Sequence, residues 1–195
     1  MFGYFNFYKF KEYKDMKKIL LFFFVFLASY SVADDRIVKL NQLFNDLKIE
    51  NISISTEVEQ KIWKIWSTHP NNEKLTRMLE EGTNLVNNQK LNKAIIVFSN
   101  VIKLDPNWAE AWNKRATVFY LIGEYKKSQN DIDKVLSLEK RHFGALAGQG
   151  LVNIELQNYE KALKSYEDAL KIYPTLKSGK IMIKNIKELI RKESI

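Results

Sequence analysis

Residues 158–174 read NYEKALKSYEDALKIYP. Small and apolar side chains recur there at helical spacing, with Ala162, Tyr166 and Ala169 on one stripe, and Pro174 stops the run. The same arrangement stands 34 residues earlier and again 34 before that. With Leu75, Ala109 and Phe143 set in register, small residues align at Gly82, Ala116 and Gly150, and again at Ala94, Ser128 and Ala162. A bulky column runs through Phe98, Ile132 and Tyr166. Others are apolar throughout: Met78, Trp112 and Leu146; Val101, Val135 and Ala169; Leu104, Leu138 and Ile172. Pro106 and Pro174 end the outer units, with Lys140 at the matching place in the middle one.

A fixed period of this length is the mark of a repeat architecture. Within each unit the spacing is helical, as in Ala94, Ile95, Phe98, Val101 and Ile102. The small columns predict two antiparallel helices in close approach, with Phe98 or Tyr166 filling the gap between layers. Each hairpin keeps one uncovered apolar face and must stack on its neighbour, so three units are about the minimum for stability. Gly123 falls in the turn inside the second unit, a natural helix C-cap.

The pattern resembles that of tetratricopeptide repeats. The stretches LDPNWAEAW (104–112) and NYEKALKSYEDALKIYP (158–174) stand near that family's consensus, and the likeness covers residues 75–176. The units are 75–108, 109–142 and 143–176. Three positions depart from the family pattern: Lys140 where proline is usual, Asn153 where an aromatic is usual, and Ser128 for alanine. They suggest local loosening within the same fold. The resemblance implies an all-α protein, a right-handed superhelical stack of antiparallel hairpins, whose first helices line a concave surface. The inward residues would be Leu79, Thr83 and Val86, then Asn113, Thr117 and Tyr120, then Ala147, Leu151 and Ile154. Chaperone-binding members clamp a C-terminal carboxylate there with Lys, Arg and Asn. The matching positions here include Leu79, Thr83, Thr117, Ala147 and Leu151, so that specificity does not transfer. An apolar groove with a few hydroxyl and amide groups suits a helix or an extended apolar segment.

Residues 177–195 contain a helix with Met182, Ile186, Leu189 and Ile190 on one stripe. Lys180, Lys184, Lys187 and Arg191 populate the rest, as on a capping helix; an anionic partner is the other reading of that basic run. Residues 34–74 read as a degenerate hairpin. Ile37, Leu40, Leu43, Phe44 and Leu47 mark its first helix. Val58, Ile62, Ile65 and Trp66 mark its second, with Ser55 or Thr56 as N-cap, Glu57 and Glu59 in the first turn and an end near His69-Pro70. The pair is expected to cap the N-terminal end of the stack, or to place one helix inside the groove.

Before this hairpin, Lys17-Lys18 precede the apolar run Ile19–Leu27 and the small-residue segment ASYSVA, the plan of a secretory signal peptide over 1–33. Cleavage is expected between Ala33 and Asp34. Met16 sits where a start codon would, which would make 1–15 an over-extension. The run from Ile19 to Ala33 falls short of the ~20 residues of a membrane span. An uncleaved anchor is the alternative, and either reading puts the rest of the chain in the periplasm or outside the cell. The formal charge is +8, but 1–33 hold five lysines and two acids, which leaves 26 basic and 21 acidic side chains, or +5. That is an ordinary surface charge, and with export it argues against nucleic acid.

No catalytic constellation is expected, and no cofactor or metal. The chain has no cysteine, and His69 and His142 have no acid or second histidine at metal-ligand spacing. The glycines of FGALAGQG (143–150) follow no phosphate-loop spacing. Trp63, Trp66, Trp108 and Trp112 read as core or edge packing rather than a base-stacking platform. The expectation is a non-catalytic scaffold for a protein or peptide partner, with a self-associating protein whose groove is filled by its own hairpin or a second copy as the alternative.

Overall fold

The structure is a computed structural model that describes residues 35–49 and 51–193. The leader expected over 1–33, and its cleavage point before Asp34, lie outside the described residues. Among the described residues all regular secondary structure is helical. The chain divides into two compact units, 1–41 and 42–195. In the first, the described residues 35–41 are helical; so are 42–46 at the start of the second, and this run is α1. Ile37, expected on the apolar stripe, is exposed at 55 %, whereas Leu43, Phe44 and Leu47 are buried.

The second unit continues with α2 (Ile52–Ser67), then α3 (Glu73–Asn87) and α4 (Leu91–Leu104), α5 (Ala109–Leu121) and α6 (Tyr125–Leu138), and α7 (Phe143–Glu155) and α8 (Tyr159–Ile172), closed by α9 (Lys177–Glu193). Consecutive helices from α3 onward pack in pairs, and each pair stacks on the next. The boundaries follow from local chemistry. Asn72 Oδ1 accepts the Leu75 N–H at 3.3 Å and starts α3. Asn51 does the same for α2, its Oδ1 accepting from Ser53 and Ile54 at 3.0 and 3.2 Å. This corrects the expectation that Ser55 or Thr56 caps that helix. Both hydroxyls donate back to the Ile52 carbonyl within the first turns, and Ser55 is buried.

The small and bulky columns meet pairwise. Gly82 lies against Phe98 and Gly150 against Tyr166, each so closely that a Cβ would overlap the ring. In the middle unit the bulky partner is Ile132, and Ala116 packs beside it in one core cluster. Smaller partner and larger partner change together, so side-chain sizes trade across the contact. Ser128 causes no loosening: its buried hydroxyl donates to the Ala116 carbonyl at 2.8 Å and ties α6 to α5. Arg115 braces the same unit. Its guanidinium holds Asp131 through two hydrogen bonds of 2.7 and 2.8 Å and donates to Ser99 Oγ of the unit before at 2.9 Å.

The turn within each hairpin repeats as well. Glu124 N–H donates to the Phe119 carbonyl at 2.8 Å and Gly123 N–H to that of Tyr120 at 3.0 Å, the two bonds of a Schellman cap. Gly123 takes φ +78° there, and its counterparts Gln89 and Gln157 take 58° and 59°. Side chains disfavour this left-handed region by roughly 1–2 kcal/mol. Gln89→Gly and Gln157→Gly are each expected to raise stability by up to about 1 kcal/mol, after the added freedom of the unfolded chain is subtracted. Gly123→Ala is expected to lower it by a similar amount. Urea midpoints at constant m-value check this.

Tyr166 is 2 % exposed in the core that joins α7, α8 and α9. Burial first, and the neighbouring Tyr120 second, push its phenol up to about 12. The folded state therefore resists losing this proton. Its contribution to stability is complete below pH 10, the ordinary phenol value, and is lost as pH rises toward about 12. Thermal melts between pH 9 and 12 are expected to fall more steeply for the wild type than for Tyr166→Phe. Parallel slopes would show that this phenol does not contribute.

Candidate functional site

The first helix of each hairpin was expected to present three residues to a concave face, and the structure brings only some of them to one place. Asn113, Thr117 and Tyr120 of α5 and Leu151 of α7 line a shallow pocket of about 70 Å³, floored by Ala116 and Ile132 and bordered by Gly144 and Gly148. A Cβ at Gly148 would meet Ile132 at an ordinary 3.6 Å, whereas the same direction at Gly144 is taken by the Trp63 ring. Thr117 is exposed and Tyr120 half-buried. The Tyr120 ring is tilted against Tyr125 at 5.6 Å, and both phenols donate to Glu155, at 3.4 and 3.0 Å. This shared carboxylate raises both phenol pKa values, that of Tyr120 after burial and that of Tyr125 as the leading cause.

The remaining expected residues lie elsewhere. Leu79 is 1 % exposed and belongs to the core of the first unit with Phe98, and Val86 packs against that core. Thr83 is half-buried and donates its hydroxyl to the Leu79 carbonyl at 2.9 Å. Leu79 is therefore packing, not surface. Ala147 and Ile154 rest, with Leu151, against the cluster of Ala162, Tyr166 and Ile186 that joins α7, α8 and α9.

The helix α2 does not stack on α3 as a further repeat would. It runs across the turns that join one hairpin to the next. At its N-terminal half, Thr175 donates to Ser55 at 2.6 Å and Tyr173 to Glu59 at 3.0 Å. In its C-terminal half, Trp63 meets His142 and Phe143 edge-on at 5.5 Å each, and Trp66 stacks on His142 at 4.0 Å and 8°. At its end the Trp66 carbonyl accepts from the Trp108 indole at 2.8 Å. The buried stripe Ser55, Val58, Ile62 and Trp66 thus runs antiparallel to the order of the units. Trp63 closes against Gly144, one of the residues that line the pocket.

Beneath α2 sits a buried polar node. His142 is fully buried; its Nδ1 accepts the Ala145 N–H at 3.0 Å, which leaves Nε2 to carry the proton toward Glu110 Oε2 at 3.1 Å. Glu110 is 1 % exposed, accepts from Asn113 Nδ2 at 3.1 Å and has Lys114 Nζ at 3.3 Å. The pocket residue Asn113 is therefore held in place by its amide donor. The histidine and its acid stand 32 positions apart, close to one repeat, and His69 meets Asp105 at 2.8 Å across 36. Both separations lie two positions from the 34-residue period, so a search in a window around one repeat, rather than at short spacings, would have found both pairs.

The Tetratricopeptide repeat family model matches residues 143–176. A TPR repeat-containing protein of Rhizobium etli is 32% identical over 152 residues, 77% of this chain and 74% of that protein. Of solved structures, the Arabidopsis OM64 TPR domain is 25% identical, with a TM-score of 0.58, over 60% of this chain and 96% of that one. The first TPR of Spaghetti (RPAP3), bound to the HSP90 peptide SRMEEVD, is 20% identical, with a TM-score of 0.60, over 62% of this chain and 96% of that one. The paired helices, the small-against-bulky columns and the extent of the Rhizobium match agree, and the chain belongs to the tetratricopeptide repeat family.

Proposed function

We propose that the chain is a non-catalytic adaptor that presents the pocket between α5 and α7 to an apolar helical or extended segment of another protein, in the periplasm or an equivalent exported space. The observation that carries this reading is the pocket itself. Gly144 and Gly148, one turn apart on α7, and Ala116 and Ile132 of the preceding hairpin line it without large polar side chains, and Asn113, Thr117 and Tyr120 give it a polar edge. The leader-like residues 17–33 support the location. Among the described residues no helix is long and apolar enough to cross a membrane. The acidic tail bound by the RPAP3 domain is not the expected ligand, because Thr117 and Leu151 offer no cation to a carboxylate.

The alternative, a face filled by the chain's own N-terminal hairpin or by a second copy, draws on Trp63, which already lies against Gly144. Crosslinking in the native envelope, compared between wild type and Tyr120→Glu/Leu151→Glu, tests the first reading. A partner lost only in the double variant, with helical content retained, is the expected result; an unchanged crosslink pattern rejects it. Sedimentation at micromolar concentration tests the second: a dimer is expected from a second copy, and a monomer whose pocket still crosslinks to a partner rejects it.

A further inference from the structure

Each hairpin of this chain has an equivalent position near the end of its first helix, beside the turn. Leu85 fills it in the first unit and packs against the core. Phe119 fills it in the second, half-buried, with the Arg115 guanidinium 5.5 Å and the Lys127 ammonium 5.8 Å from its ring centre. Thirty-four residues on, the third unit has Asn153. Its amide turns back to donate to the Gln149 carbonyl at 2.9 Å, and the space is left open as a cleft of about 600 Å³.

Two of its wall residues, Gln149 and Lys161, are counterparts of the cations beside Phe119, and Asn158, Glu160 and Lys164 also line it. Gln149 stands for Arg115, Lys161 for Lys127 and Ser165 for Asp131. Leu156 supplies an apolar wall, and Gln129 comes from the unit before. Gln149 Oε1 accepts the Ser165 hydroxyl at 3.1 Å, so the floor is hydrogen-bonded without an aromatic ring. The exposed ammonium of Lys161 stands where Lys127 stands in the second unit, but with no ring beneath it. None of these residues lines the pocket between α5 and α7.

We propose that this cleft receives an aromatic side chain of a bound protein, its ring taking the place in the third unit that Phe119 holds in the second. The chain itself supplies the template for the occupant: a flat ring, its edge on Leu156, its face toward the Lys161 ammonium. A ring face attracts a cation, and a saturated ring of equal size does not. The space is ample, since a cavity of about 150 Å³ is enough to take benzene in an engineered apolar core. The partner contributes the ring, which makes the third unit a second contact point independent of the α5–α7 pocket.

The test is a titration of the isotope-labelled full chain followed by its amide resonances, including the side-chain amides of Asn153, Gln149 and Gln129. The probes are p-cresol, cyclohexanol and the pentapeptide Gly-Gly-Tyr-Gly-Gly. Saturable shifts confined to these amides and the 149–165 backbone are expected with p-cresol and the peptide, and none with cyclohexanol. Asn153→Phe fills the cleft from within and is expected to weaken both aromatic probes at least tenfold. Lys161→Ala changes an exposed residue, preserves the fold and is expected to weaken them severalfold. Equal binding of cyclohexanol, or p-cresol shifts unchanged in both variants, overturns the assignment. Binding of p-cresol with exclusion of the peptide assigns the cleft to a free aromatic molecule and overturns the protein-borne ring.

Discussion

Trp66→Ala is expected to release α2 from the stack and to lower stability by about 3–5 kcal/mol, the usual cost of removing a buried large aromatic. Trp66 is 6 % exposed and holds four rings at once: His142 by stacking at 4.0 Å, and Trp63, Phe143 and Phe44 at 5.2, 5.2 and 6.0 Å. Such ring pairs add about 0.5–1.5 kcal/mol each to the area they bury. The indole also covers one face of His142, the partner of the buried Glu110, so its loss is expected to expose that histidine to water. Trp66→Phe keeps most of the stacking surface and is expected to recover over half of the loss. Urea unfolding measures the cost, and amide exchange in 52–67 shows whether α2 has detached. An alanine variant that keeps its urea midpoint and the protection of α2 would show that the strap does not depend on this indole.

Size matching at a fixed period is local information, and the sequence carries it openly. Gly82 with Phe98 and Gly150 with Tyr166 can be read in pairs because a missing side chain meets a ring at the same register in the first and third units, with Ala116 and Ile132 between them. The hairpin order, the C-cap at Gly123 and the apolar stripe of α9 follow from the same rule. What the sequence did not reveal was where α2 would go. Its stripe of Val58, Ile62 and Trp66 says that one face is buried, but an amphipathic helix fits the end of a stack, its groove or its edge equally well. The choice is made by partners more than 40 positions away: the Trp108 indole, the His142 ring, the Tyr173 and Thr175 hydroxyls. Half-legible in the same sense is the expected concave face. The repeat register placed Asn113, Thr117, Tyr120 and Leu151 on one pocket, yet it also marked Leu79, whose burial in the first unit depends on Phe98 and Trp108 around it. Asn153 was visible as a departure from the family pattern, but only the space beside it shows what that departure leaves behind.

The pairing of small and bulky columns gives the other large effect, and it separates packing from mere hydrophobicity. Gly150→Ala adds one methyl group where the Tyr166 ring already lies, with α7 and α8 fixed by their neighbours. Overpacking of this kind costs about 1–3 kcal/mol. Tyr166→Ile replaces a buried ring by a smaller branched chain and is expected to cost about 3 kcal/mol, near the low end for aromatic truncation. The second unit already holds the combination of these two changes, Ala116 beside Ile132 at the same register. Gly150→Ala/Tyr166→Ile therefore transplants a pair that fits, and it is expected to be more stable than the sum of its single changes by about 1–3 kcal/mol, the range seen for residues in direct contact. The reverse transplant, Ala116→Gly/Ile132→Phe, is expected to show the same sign, with Ile132→Phe alone the worst of its set. Four urea midpoints per cycle decide it. Additive losses would mean that α7 shifts freely to admit the methyl group, and the close approach at Gly150 would then be incidental to how the hairpins nest.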